Sequence, residues 1–500
     1  MTREGCAGVS RRRSSRVNLV KGRITNAEQQ MGSSMTVEQQ ISDEEPQGRV
    51  ASRPSGPAQP EREGMVRQQA ASAQTKVQAL ATQPWMERIV DRENLNDAYR
   101  RVTSNAGTPG VDGMTVDDLA DWCREHGAAL VTSLLNGSYE PKPVRGVKIP
   151  KPDGGERQLG IPTVVDRLVQ QAIAQVLGRA VDPSFSPSSF AFRPVCSQHD
   201  ALRQAQEYVA DGRKTVVDID LETFFDRVNH DILMERLARH VSDKRLLRIV
   251  RRFLKAGMMS NGACIERDEG VPQGGPLSPL LSNLLLDDLD KELERRGHCF
   301  CRYADDCNIY VRSPAAGERV MASVTAFLEE RLKLRVNRVK SAVAPVQERK
   351  FLGYRLLPGG RLGIAPKSVL RFKDRIRELT RRNRGVSFAL AVEQVRSFVT
   401  GWVVYYRMAE CRTLLGELDG WIRAKLRCLR LKQAKRAVGM AKFLRRLGVP
   451  ERSVWATAAC SRGWWVKAQT PGAQAGMSLE WFDSIGLPRL THGHAALQRT

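Results

Sequence analysis

The sequence predicts an α+β fold in two parts: an antiparallel sheet clothed by helices, then a helical, strongly basic stretch. Three observations carry this. Residues Lys214 to Asp220 alternate, with Val217 and Ile219 on one face and Val216, Asp218 and Asp220 on the other, the period of a strand. Phe300, Tyr303, Ile309, Tyr310 and Val311 are aromatic or β-branched and flank Ala304-Asp305-Asp306, which reads as the tight turn of a hairpin. From Pro366 onward the composition turns basic and the apolar residues recur at helical spacing.

Taken in order, the elements are these. Residues 1–80 are rich in Arg, Ser, Gln, Gly and Pro, and are expected to be a disordered basic and polar segment. Glu87 to Val90, then Leu95, Ala98, Tyr99 and Val102, have helical spacing. Thr115 to Asp118 offers a capped helix start. Val144 to Ile161 reads as a hairpin turning at Pro152-Asp153-Gly154-Gly155, with Lys151 and Arg157 beside the turn. Asp166 to Val181 and Ser282 to Arg296 are predicted core helices. In the second, Leu285, Leu289 and Leu293 face inward and Gly297 stops the helix. Glu318 to Leu332 is a further helix, with Val320, Val324, Phe327 and Leu328 apolar. Leu414, Leu418, Trp421 or Ile422, and Leu429 form the stripe of a late one, with Arg412, Arg423, Lys425, Arg427, Arg430 and Lys432 off the stripe and suited to backbone contact along an RNA duplex.

Bulk properties narrow the partner. Lys and Arg number 79 against 55 Asp and Glu, a net charge of +24, which points to a polyanion and most simply to nucleic acid. There is no long uncharged apolar run, so no membrane span or membrane partner is expected. Arg11-Arg12-Arg13 is not followed by an apolar core, so no secretory signal is expected. The ten cysteines lack C-x-x-C pairs at zinc spacing and read as reduced thiols of a cytoplasmic protein.

Two adjacent carboxylates at a hairpin tip are costly unless compensated. A divalent ion compensates them: Mg²⁺ prefers one or two carboxylates together with substrate phosphates. Laying the Lys214–Asp220 strand beside the hairpin brings Asp220 to Asp305. Two metals roughly 3.5–4 Å apart could then clamp an attacking and a leaving oxygen, as nucleotidyl transfer requires.

Tyr303-Ala304-Asp305-Asp306 resembles the YxDD box of reverse transcriptases. Asp220 to Phe225 resembles the first catalytic block of the same palm. Val271-Pro272-Gln273-Gly274-Gly275-Pro276-Leu277-Ser278-Pro279 resembles the PQG block behind the templating base. The wording is closest to bacterial group II intron reverse transcriptase/maturases. It continues in Ile149 to Gly155, Leu159 to Thr163, Phe192-Arg193-Pro194 and Phe351-Leu352-Gly353-Tyr354. The blocks stand in family order from about Trp85 to about Leu431.

The resemblance implies a right-hand polymerase. Fingers and an antiparallel palm with an N-terminal extension would occupy 85–365, and a helical thumb or maturase X domain 366–435. A small basic region at 436–500 would touch DNA or RNA. The family's C-terminal zinc endonuclease domain is not expected.

It also implies roles for single residues. Asp220, Asp305 and Asp306, with Ile219, are the metal positions, for two Mg²⁺ ions with Mn²⁺ as the alternative. Lys151, Arg157, Gln273 and Gly274 contact the incoming nucleotide. Phe225 holds the steric-gate position that selects dNTPs. Val336 to Ser341 matches the block whose lysine, here Lys340, lies near the leaving pyrophosphate as a candidate general acid. Phe351, Leu352, Gly353 and Tyr354 match the primer grip. The implied activity is RNA-directed DNA synthesis by a mobile group II intron protein that also serves as a maturase. Its partners would be the intron RNA template, a DNA target or primer, and dNTPs. A retron, diversity-generating or CRISPR-associated reverse transcriptase, or a splicing factor that only binds RNA, are the alternatives.

Overall fold

The computed structural model describes residues 84–150, 155–260 and 262–499. Lys151 and the expected N-terminal disordered segment lie outside them.

Three helices open the described chain: α1 (Trp85–Ile89), α2 (Arg92–Ser104) and α3 (Leu119–Leu135). The Asp91 carboxylate caps α2 by accepting from the Glu93 and Asn94 amides. The cap expected at Thr115 to Asp118 takes another form. Asp118 turns back to accept from the Thr115 amide and hydroxyl, at 2.8 and 2.5 Å, and α3 starts at Leu119 without a side-chain cap.

The chain then forms the hairpin of β1 (Val144–Pro150) and β2 (Glu156–Ile161), in register from Arg145↔Ile161 to Pro150↔Glu156. Next come α4 (Val164–Val181), α5 (Gln198–Ala210), β3 (Thr215–Ile219), α6 (His230–His240) and α7 (Lys244–Lys255). β4 (Met258–Ser260) and β5 (Ala263–Ile265) complete a first sheet of order β2-β1-β4-β5. α8 (Ser278–Arg295), β6 (Cys299–Tyr303), β7 (Asp306–Val311), α9 (Pro314–Arg331) and β8 (Ala342–Pro345) follow.

The second sheet, of order β6-β7-β3-β8, is antiparallel throughout. β3 lies inside it, with apolar side chains on both faces. Val217 and Ile219 join the core built by α4, α8 and α9, while Val216 joins a second core with Cys301, Tyr310 and Tyr354. A small third sheet, β9 (Lys350–Phe351), β10 (Tyr354–Leu356) and β11 (Leu362–Ile364), leads into the helical region.

That region comprises α10 (Pro366–Leu379), α11 (Phe388–Tyr405), α12 (Arg412–Gln433), α13 (Ala437–Arg446), α14 (Glu451–Ala458), α15 (Trp464–Ala468), α16 (Pro471–Gly476), α17 (Leu479–Ser484) and α18 (Leu490–Leu497). The division expected at 435/436 falls inside one apolar core: Phe372, Leu418 and Ile422 share it with Leu444, Met477, Phe482 and Leu490. Buried Asp419 of α12 ties the far end in, accepting from the Leu490 amide at 2.9 Å.

Two of the cations expected off the apolar stripe are covered for the same reason. Arg427 donates to the Met477 carbonyl and lies over Phe482, and burial lowers its pKa to about 10. Arg430 lies 4.0 Å above the Phe443 ring. Their long apolar stems suit such packing. Among the described residues, no helix is long and apolar enough to cross a membrane.

Candidate active site

The acid pair sits where the hairpin turns. Tyr303 pairs with Asp306, leaving Ala304-Asp305 as a two-residue loop. Ala304 takes φ +58, the left-handed region, so the loop holds a Cβ in a conformation that favours glycine. β3 pairs with β7 through Ile219↔Cys307, and Asp220 follows at the next step. That register carries Asp220 to the Asp305-Asp306 turn, where its charge acts on both carboxyls.

The three charges act on one another. Burial, and then Asp220, raise the Asp305 pKa, against Arg157 and Lys340, which lower it. Asp306 opens to solvent at its tip yet is surrounded by protein. Loss of bulk water, then Asp305, Asp218 and Asp220, push its pKa up to about 7, with Lys350 opposing. Asp218, the fourth acid here, is paired: Arg349 Nε donates to it at 2.8 Å.

The loop before β8 fastens Asp220. Its amide donates to Ser341 Oγ at 3.0 Å, and its carbonyl accepts from the Asn337 amide at 2.8 Å. Lys340 Nζ lies 3.9 Å from Asp220 Oδ1. Arg349 also donates to the Lys340 carbonyl at 2.5 Å, so one guanidinium bridges the floor of the site and this loop.

The residues expected to contact the nucleotide gather at the same place. Arg157 of β2 is exposed, pairs across the hairpin with Ile149, and acts on Asp305. Phe224 is core, whereas Phe225 is half-buried against it, edge-on at 5.1 Å. The Phe225 carbonyl accepts from the Val271 amide at 2.6 Å, so the gate position and the Val271–Pro279 loop are joined directly. Gly274 has φ +122, and a Cβ there would stand 2.8 Å from the Gly160 carbonyl oxygen. The Gly160 amide in turn donates to the Gln273 carbonyl at 2.9 Å. Glycine at 274 therefore lets the loop lie flat against β2. His230, read as structural, is buried and bonds the Gly270 carbonyl at 2.8 Å.

Comparison with known proteins gives the same answer from another direction. Residues 149–356 match the family "Reverse transcriptase (RNA-dependent DNA polymerase)", and residues 369–448 match "Group II intron, maturase-specific domain". Protein YkfC of Escherichia coli (strain K12) is 34% identical over 320 residues, 56% of this chain and 84% of that one. The group II intron-encoded protein LtrA of Lactococcus lactis subsp. cremoris is 36% identical over 198 residues, 39% of this chain and 32% of that one. The chain belongs to the group II intron reverse transcriptase/maturase family. It spans about a third of LtrA's length. Among solved structures, a chain of the "Partial Cas6-RT-Cas1--Cas2 complex" is similar over 50% of this chain and 43% of its own, at 24% identity and a TM-score of 0.33.

In this group II intron reverse transcriptase the segment expected to be the primer grip is a tight hairpin between β9 and β10. Leu352 and Gly353 both take positive φ, +49 and +77, as a two-residue loop of this kind requires. Phe351 and Tyr354 are buried, so Leu352 and Gly353 are the pair that reach the surface. The tip is held from α11: Tyr405 donates its hydroxyl to the Leu352 carbonyl at 2.7 Å, and Tyr354 donates to the Tyr405 carbonyl.

The sequence reading missed Arg302, which supports the acid pair from below. It is 1% exposed and donates to Asp290, itself 0% exposed, at 2.5–3.0 Å. It also donates to Asn283 Oδ1 at 3.0 Å, to Ser189 Oγ at 2.7 Å, and to the Ala304 carbonyl at 3.1 Å. The last bond holds the peptide immediately before Asp305. The signal was a charged residue flanked by strand residues in the hairpin that carries the acid pair.

The family implies a divalent metal. Among the described residues, no three His, Cys, Asp or Glu side chains enclose a metal position by themselves. The donor chemistry nevertheless fits an ion completed by substrate. Burial first, and then neighbouring carboxylates, raise the pKa of both Asp305 and Asp306, and hard oxygen donors of this kind suit Mg²⁺ with phosphate ligands. Ile219 has a buried apolar side chain, so its contribution reduces to a main-chain carbonyl.

Proposed function

We propose that this chain is the RNA-directed DNA polymerase of a mobile group II intron, which copies RNA into DNA and assists the splicing of its intron RNA. The observation that carries the reading is the meeting of Asp220 with Asp305 and Asp306 on adjacent antiparallel strands, with Arg157 of the hairpin acting on the same charges. Residues 85–365 serve as fingers and palm, and the helices from 366 as thumb and maturase domain.

Asp220, Asp305 and Asp306 bind the divalent ions, with the Ile219 carbonyl as a further oxygen. The chemistry Mg²⁺ supplies when bound is activation of the primer 3′-hydroxyl and neutralisation of the departing pyrophosphate. The chain's own residues orient and select. Arg157 and Lys151 hold the triphosphate, Arg157 through its planar fork. Phe225 occupies the volume a ribose 2′-hydroxyl would need. Gln273 and Gly274 back the nascent pair. Lys340 donates a proton toward the leaving group. Leu352 and Gly353 position the primer end. The intron RNA, a DNA target and dNTPs are the partners.

Primer extension on an RNA template tests the reading. Wild-type protein with Mg²⁺ incorporates dNTPs, and Asp305→Ala abolishes synthesis while leaving RNA binding intact. A wild-type protein that binds RNA but incorporates nothing across a series of salt concentrations would instead support a splicing factor without polymerase activity.

A further inference from the structure

The tryptophans of the last 65 residues are sorted by the fold. Trp481 packs among Phe388, Phe443 and Phe482, with ring centres 5.0–6.3 Å away. Trp464 is half-buried, and its carbonyl accepts from Cys428 Sγ of α12 at 3.2 Å, which fixes α15 on the helical domain. Trp455 and Trp465 are both left 42% exposed; Trp455 is covered on one face by Arg445, 5.5 Å from its ring centre, whereas Trp465 stands beside Val466, also 42% exposed. An indole is among the most favourable groups to bury, so one held in the open on a fastened helix has a surface to offer.

Its surroundings say what that surface fits. Lys425 of α12 places its ammonium 5.2 Å from the Trp465 ring centre and 5.5 Å from that of Trp421, so one cation serves two indoles. Arg377 of α10 lies 5.7 Å over Trp421 in turn. Among the described residues, no carboxylate stands within ion-pair distance of Lys425, and Arg462, in the turn before α15, is exposed. Ring, cation and ring thus follow one another along Trp421, Lys425 and Trp465; Trp421 is half-buried on the helical core, Arg377 is paired with Asp374, and Trp465 is the ring that stands open. A single nucleic-acid strand presents the complementary alternation of phosphate and base, and a base stacks on an indole whatever its identity. A duplex keeps its base faces stacked on one another and offers none to Trp465. The matched maturase-specific segment ends at 448, so α15 supplies Trp465 from beyond it.

We propose that Trp465, Trp421 and Lys425 form a stacking site for unpaired nucleotides of a single strand, separate from the catalytic cleft. This rests on the polymerase reading in taking a primer–template duplex to occupy that cleft.

The test uses the full chain and labelled oligouridylate and oligothymidylate 12-mers, with excess unlabelled primer–template filling the cleft. The oligomer stays bound and quenches tryptophan fluorescence. Trp465→Ala weakens its binding about tenfold, as loss of one stacked base does. Trp465→Phe restores most of it, and Lys425→Met lowers the salt slope by about 0.7. Preference for either oligomer names the strand as RNA or DNA. Trp465→Ala leaves extension of a short pre-annealed primer unchanged. Complete displacement of the oligomer by primer–template, or unchanged binding by Trp465→Ala, overturns the proposal. Synthesis is scored separately, so absence of dNTP incorporation by the wild type would strike the polymerase reading and leave the Trp465 comparison legible.

Discussion

Arg302 and Asp290 form a buried ion pair directly beneath the catalytic hairpin, Nε to Oδ1 at 2.7 Å and Nη2 to Oδ2 at 2.5 Å. Both charges are removed from water, so the pair is maintained only while both partners and their hydrogen bonds are present. Arg302 spends its remaining donors on Asn283, Ser189 and the Ala304 carbonyl. It is therefore at once a structural cation and the support of the peptide that carries Asp305.

These two tasks are separable by mutation. Arg302→Met leaves Asp290 buried and unpaired, and should cost about 3–5 kcal/mol in denaturant unfolding. Arg302→Met with Asp290→Leu removes both charges and should recover most of that loss. Synthesis should remain depressed in the double variant, because nothing replaces the bond to the Ala304 carbonyl. Full recovery of both stability and synthesis would show that Arg302 does not position the hairpin.

Phe225 is joined through its carbonyl to the Val271 amide, and its ring leans on Phe224. Phe225→Ala should relieve a clash of about 1–3 kcal/mol against a ribonucleotide, raising ribonucleotide relative to deoxynucleotide incorporation roughly 10–100-fold. Single-nucleotide kinetics with paired rNTP and dNTP reads the ratio. An unchanged ratio would remove Phe225 from the sugar site.

Gly274 cannot accept a side chain without displacing β2. Its φ is +122, and the Gly160 oxygen lies 2.8 Å from where an alanine methyl would stand. Gly274→Ala should therefore destabilise the loop by about 1–3 kcal/mol. The KM for dNTP should rise more than kcat falls if the loop backs the bound nucleotide as proposed. A variant with wild-type stability and KM would contradict this account of the contact between loop and hairpin.

Asp287 of α8 gives a pH signature away from the catalytic acids. Burial, and then Asp290, push its pKa up to about 6, from an ordinary value of 3.8, against Lys291. A carboxyl that binds its proton more tightly when folded favours the fold at low pH. That contribution is lost as pH rises from about 4 through 6. Asp287→Asn should therefore raise Tm above pH 6 relative to wild type, with the difference shrinking toward pH 4. A difference that is constant with pH would assign the effect to something other than this titration.

Much of the site is legible in the residues because its parts are local. The period-two pattern of Lys214 to Asp220, the acid pair in a tight turn and the glycines of the Val271–Pro279 loop are each visible over a few positions. What lies across the chain is not. Loop length decides that Asp306 begins β7 and that Ala304-Asp305 form its turn, which sets how the acids approach Asp220; a single residue of slip in a hairpin changes every partner. Arg302 reads as an ordinary charged strand residue until α8 brings Asp290 beneath it. Arg427 and Arg430 read as off-stripe cations of an amphipathic helix until the helices beyond 436 pack over them. Thr115 and Asp118 have the right types for a helix cap, but their hydrogen bonds close a turn before the helix starts.

The central claim is that Asp220, far from the acid pair in sequence, works with Asp305 and Asp306 in one catalytic centre. Single-nucleotide incorporation on an RNA template by Asp220→Ala measures it most directly, with RNA binding followed in the same preparation. The account predicts binding at the wild-type level and no incorporation above background; incorporation at the wild-type rate would contradict it.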